Sequence, residues 1–174
     1  MSIIVYPPSF PIIELRPYLV NYDQSVEEMI AGLPHNDCIT SKRFPNCRGD
    51  KTGLKEIRAY LVKPTFLLIS TCLQLLNKNN FIPEDLPALA PLKEYAEEFY
   101  GSSIYSIVTL GANSIWQTPN TLCTTNRYAI CLKSHPDFRG FHLRNLEDNW
   151  HSSDNWFLVR RKTAEELQTS TQGR

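Results

Sequence analysis

The apolar residues change their period once along the chain, and that change limits the folds open to it. Up to Gly101 the clearest stripes have helical spacing: Leu54, Ile57, Leu61, Leu68, Cys72 and Leu75, then Leu92, Tyr95, Ala96 and Phe99. From Ile104 onward come short runs rich in β-branched and aromatic residues, at 104–110, 127–133, 141–146 and 156–161. Helical patterns followed by strands with short links fit an α+β fold with antiparallel pairing. A parallel nucleotide-binding sheet needs strand and helix to alternate, and they do not. The expected architecture is an N-terminal extended arm and helices, then a mainly antiparallel sheet with the helices packed on one face. With 174 residues and no internal repeat, one domain over 1–168 is expected, followed by a frayed tail at 169–174.

Local signals place the elements. Pro7, Pro8, Pro11 and Pro17 interrupt the apolar N-terminal pieces, so these read as an arm or edge strand. Ser25 and Glu28 have capping-box spacing before a short helix that Gly32 can end. Residues 33–52 lack periodicity and read as a long surface loop, a common place for a site. Thr52 can cap helices over 54–62 and 64–76, with Pro64 as the break. Pro83 to Leu86 reads as a turn, and Pro91 opens a helix with Lys93, Glu94, Glu97 and Glu98 outside and Gly101 as its stop. Gly111 is read as turning the chain toward a strand at 114–117, ahead of a loop at 118–126. A polar loop at 147–155 carries Trp150 and His151, and Thr163 with Glu166 offers a second cap.

Charge is balanced in total but not along the chain. Eighteen Lys and Arg meet eighteen Asp and Glu, which excludes a polycation or an acidic-tail protein. The 42% hydrophobic content excludes a disordered chain. Between 42 and 63, Lys42, Arg43, Arg48, Lys51, Lys55, Arg58 and Lys63 face only Asp50 and Glu56, whereas 84–98 is acidic. Opposed zones of this kind orient partners and raise association rates. The basic zone also holds Phe44 and Tyr60, a composition suited to single-stranded nucleic acid. No RNA- or DNA-binding signature accompanies it.

Other chemistries fit less well. His35, Cys38 and Cys47, with Cys123, Cys131 and His135, are suitable zinc ligands by type, but the seven-residue gap between Cys123 and Cys131 lacks the close pairing of a zinc site, and Cys131 reads as a small buried strand residue. Arg48 to Gly53 lacks the spacing of a phosphate loop. A cysteine hydrolase would draw on Cys38 beside His35, or on Cys72, but no nucleophile elbow is present. Glu94, Glu97 and Glu98 read as a solvated helix face.

The sequence therefore favours a non-enzymatic protein that binds another macromolecule, as adaptor, inhibitor or assembly factor. Its expected contacts are Lys42, Arg43, Arg48, Lys51 and Arg58 in the basic zone, and Trp150 and His151 in the aromatic loop. RNA or single-stranded nucleic acid is the alternative partner, and a small cysteine hydrolase using Cys38 and His35 is the second alternative. No cofactor, metal or membrane partner is expected. Five cysteines without an export signal point to a reducing, intracellular (cytoplasmic) setting, cellular or viral.

Overall fold

The computed structural model describes residues 10–64, 68–119, 126–148, 150 and 155–171. The fold is α+β, built on a mixed, mostly antiparallel sheet. The arm supplies β1 (Ile12–Glu14) and β2 (Tyr18–Asn21), followed by α1 (Val26–Ile30). Ser25 and Glu28 form the expected capping box: Ser25 Oγ accepts the Glu28 N–H, and the Glu28 carboxylate accepts the Ser25 N–H. The 33–52 loop contains only β3 (His35–Asn36).

The helix expected over 54–62 does not form. The chain makes β4 (Leu54–Ile57) and β5 (Tyr60–Val62) instead. Ile57, Tyr60 and Val62 favour extended backbone, and both strands find partners: β4 pairs β2, and β5 pairs β1. Tertiary pairing overrides a helical spacing that the short stretch carried by coincidence. The following helix, α2 (Ile69–Lys78), begins later than expected.

Next come β6 (Phe81–Pro83), α3 (Leu86–Leu89), a 3-10 segment (Ala90–Tyr95) and α4 (Ala96–Gly101). Leu92, Ala96 and Phe99 face inward as expected, but Tyr95 is 45% exposed. Lys93 turns inward rather than out, and its ammonium donates to the Met29 and Ala31 carbonyls at 2.9 and 2.6 Å. It thereby satisfies carbonyls at the C-terminal end of α1. The later strands are β7 (Ser106–Val108), β8 (Ile115–Gln117), β9 (Arg127–Lys133), β10 (Gly140–Asn145) and β11 (Asn155–Arg161). The chain ends in α5 (Ala164–Thr171), capped by Thr163 and Glu166.

The large sheet runs β1-β5-β11-β7-β9-β10-β3, with β6 on β11 and β8 on β9. Among the described residues only β7–β11 and β3–β10 are parallel. Gly140 permits the close approach of β3, because a Cβ there would lie 1.7 Å from the His35 carbonyl oxygen. Register sorts the core into two clusters. Leu61, Ile107, Leu132, Phe141 and Leu158 share one face with α1, α3 and α4. Val62, Val108, Cys131 and Phe157 share the other with α2. Most helices thus pack on one face, and α2 covers the second. Among the described residues no helix is long and apolar enough to cross a membrane.

Candidate functional site

The basic loop is ordered by its own apolar residues. Ile39, Phe44 and Cys47 are buried in the first core cluster. The Thr40 carbonyl accepts the Arg43 and Phe44 amides, both at 3.0 Å. Ser41 donates its amide and hydroxyl to the Glu27 carboxylate, the amide at 2.8 Å. Gly53 N–H donates to Asp23 at 2.9 Å, and Tyr22 N–H to the Gly53 carbonyl at 2.9 Å. Within it the Gly49 amide donates to the Asn46 carbonyl at 2.9 Å and the Lys51 amide to the Arg48 carbonyl at 3.2 Å, so local turns hold this wall of the loop.

That wall closes one side of a polar cleft of about 590 Å3, lined by Asn46, Arg48, Gly49, Asp50, Lys51, Asp85 and Asn113. Asp85 is the floor. Its two carboxylate oxygens accept the Asn113 amide N–H and side-chain NH2, both at 3.1 Å. Burial pushes the Asp85 carboxyl up, while hydrogen bonds from Asn113 and Ser114 and the charge of Lys51 pull the other way. Gly111 makes room for the floor: an added Cβ would sit 2.2 Å from Asp85 Oδ1 and 2.8 Å from the Glu84 carbonyl oxygen.

Beside Asp85 lies Glu84, only 4% exposed. Its carboxylate sits between Lys51 Nζ at 3.6 Å and Arg160 Nε at 3.7 Å. Arg160 is also gripped by Glu166, with two contacts of 2.7 and 2.8 Å. These bonds hold the Glu166 carboxyl down at about 2. Lys51 Nζ lies 5.2 Å from the centroid of the buried Tyr22 ring. Burial pushes the Tyr22 hydroxyl up, and that of Tyr18 likewise. Tyr22, Lys51, Glu84, Arg160 and Glu166 therefore follow one another in a continuous line of contacts behind the cleft, while the Tyr18 hydroxyl donates to the Ala88 carbonyl at 2.8 Å.

The sequence-predicted residues divide. Arg48 and Lys51 meet in the cleft, and Arg48 also donates to the Tyr22 carbonyl at 3.3 Å. Arg43 turns away and lies over the Trp116 ring at 4.3 Å. Lys42 and Arg58 are exposed. Trp150 is 1% exposed, so it is not available as a surface anchor. Its indole N–H donates to the Asn145 carbonyl at 3.1 Å, and Arg144 stacks on it at 4.3 Å. His151 lies outside the described residues.

Cys38 is exposed beside His35, but no hydrogen bond among the described residues joins its thiol to an imidazole. His35 stacks on His142, whose ring nitrogens are already engaged by Asp37 at 3.0 Å and the Phe138 carbonyl at 2.8 Å. Burial pushes the Cys47 and Cys72 thiols up, and that of Cys131 to about 11. Among the described residues no cluster of three His, Cys, Asp or Glu side chains is placed to hold a metal.

Sequence reasoning missed Glu84, Asp85, Asn113 and Tyr22. Glu84 and Asp85 read as a turn, and the only local hint was Gly111, whose role depends on a contact 26 residues away in sequence. No protein-family model matches the chain, and no curated protein or solved structure matches it.

Proposed function

We propose that the chain is a non-enzymatic protein-binding module, an adaptor, inhibitor or assembly factor, that receives its partner at the Arg48–Asp85 cleft. The observation that carries this reading is the hydrogen-bonded turns from Asn46 to Lys51 facing Asp85 and Asn113 across about 590 Å3. A fixed site loses little entropy on binding, so few contacts suffice for specificity. Cations, carboxylates and side-chain amides line the cleft together. Such a mixed lining suits the alternating charges and amides of a protein surface. Nucleic acid favours a continuous basic track. Asp50 and Asp85 interrupt one at the cleft, and Arg43 and Lys51 have internal contacts.

Site-specific photo-crosslinking tests the reading. A benzophenone residue replaces Asn46 in one sample and exposed Lys78 in another, each in cells and followed by nuclease treatment. The expected result is a discrete protein adduct from position 46 alone, lost on Arg48→Glu. Adducts of equal yield at both positions, or an adduct that nuclease removes, would sink it.

A further inference from the structure

Strand β1 is the last strand at one side of the large sheet among the described residues, and its outer edge is open. Its hydrogen-bond phase follows from two bonds: Leu15 N–H to the Ala59 carbonyl and Lys63 N–H to the Pro11 carbonyl, both 3.0 Å. They bracket the register pair Ile13 and Leu61. In an antiparallel ladder this turns the N–H and C=O of Ile13 toward β5, and those of Ile12 and Glu14 away from it. Two residues therefore present a row of backbone donors and acceptors with no strand opposite among the described residues.

Beside this edge runs a groove of about 440 Å3 between the β1–β2 link and the 3-10/α4 segment. Leu15, Pro17, Leu92, Tyr95 and Phe99 supply apolar surface along it. Glu98 and Arg16 are exposed in its lining, and Glu14, also exposed, alternates to the other face of β1 with Ile12. Ile13 shares the Leu61 face of the strand and remains 38% exposed. Pro11 and Pro17 confine the open stretch to a few residues, which suits a short segment and blocks indefinite sheet growth.

We propose that β1 and this groove dock an extended segment of another protein in which a basic residue is flanked by two apolar ones. Pairing to Ile12 and Glu14 supplies the main-chain bonds, as in β-strand addition. The residue opposite Glu14 lies beside a carboxylate on the same face, which selects a cation. Its two neighbours point to the opposite face, toward Ile13 and into the Leu15–Tyr95–Phe99 groove, which selects apolar side chains. This surface shares no lining residue with the Arg48–Asp85 cleft.

The probe is a fluorescein-labelled heptapeptide alternating valine and lysine, read by anisotropy against the full chain. Saturable binding is expected, weakened about tenfold or more when lysine is replaced by glutamate. N-methylation of alternate peptide nitrogens should abolish it, since it removes the pairing edge. Glu14→Pro removes a donor from the open edge without touching a β1–β5 bond, and should weaken binding at least about tenfold while circular dichroism stays native. Glu14→Gln, which keeps the backbone, should fall between the two. Arg48→Glu should leave binding unchanged. No binding at millimolar peptide, equal binding by the N-methylated or glutamate peptide, or full binding by a folded Glu14→Pro chain overturns the proposal. So does a Glu14-dependent dimer without peptide, because a second copy would then occupy the edge.

Discussion

Phe44 and Trp150 are both buried aromatics next to charged residues in sequence, one in each core cluster. Near Phe44, Arg48 and Asp50 face an open cleft, while Arg43 turns onto the Trp116 ring. Around Trp150 the neighbouring charge is drawn onto the ring, with Arg144 at 4.3 Å from its centroid. Arg144 also donates to the buried Asn155 at 2.9 Å. One segment uses its aromatic as a foundation and keeps Arg48 and Asp50 at the cleft. The other uses its aromatic and its cation together as core. A cation near an aromatic in sequence thus marks a binding surface only where another side chain anchors the segment.

Truncating the two anchors gives the largest expected effects. Trp150→Ala and Phe44→Ala should each cost about 3–5 kcal/mol, measured by urea unfolding, as for other fully buried aromatics. They should differ locally: only Phe44→Ala should open the 42–51 stretch to trypsin at Lys42, Arg43 and Arg48 under native conditions. A Trp150→Ala loss below about 1 kcal/mol would break the comparison, because the ring would then not be acting as core.

The floor of the cleft comes next. Gly111→Ala sets a Cβ 2.2 Å from Asp85 Oδ1 and 2.8 Å from backbone, so the floor must move. A loss of about 1–3 kcal/mol is expected. Asp85→Ala removes the nearer clash but not the backbone one, so the double variant should recover part of the loss. Strict additivity in that cycle would show that the two residues do not press on each other.

The support behind the cleft should show a pH signature. Glu166 has its folded value lowered to about 2 from an ordinary 4.5. Its contribution is therefore complete above the unfolded value and disappears as pH falls from about 4.5 toward about 2. Glu166 is partly exposed, so screening limits the Arg160 pair to about 0.5–1 kcal/mol. Glu166→Gln should lose that amount at pH 7 and converge on the parent chain at the acid end of the window. A difference that grows on acidification would contradict the ion-pair account.

The sequence makes part of this legible. Capping boxes at Ser25 and Thr163 depend on residues three apart, and both form. Strands β7, β9, β10 and β11 carry enough β-branched and aromatic residues to be recognised alone. Residues 54–62 mislead because a four-residue and a three-residue strand are too short to display alternation, and their partners β2 and β1 lie far back in the chain. The cleft was half visible. Arg48 and Lys51 announce themselves by local charge, but Asp85 and Asn113 become a floor only when the sheet has brought 84–85 and 111–114 together. The open edge of β1 was foreshadowed by its prolines, while the groove beside it needs Tyr95 to face outward, against its helical stripe.

Neighbouring cations offer the finest test of inward against outward charge. Lys42 is exposed, whereas Arg43 stacks on Trp116, itself 5.4 Å from Tyr128. Arg43→Ala removes a cation from a ring face that stays half-buried, so a loss of about 0.5–1 kcal/mol is expected. Arg43→Lys should recover less than all of it, because an ammonium does not stack as a planar guanidinium does. Lys42→Ala touches no such partner and should fall within about 0.5 kcal/mol of the parent. Thermal unfolding of the three variants at one protein concentration decides the matter. Equal losses at 42 and 43 would mean that Trp116 gains nothing from the guanidinium, and the line between inward and outward charge would then have to be drawn at Lys51 and its Glu84 contact instead.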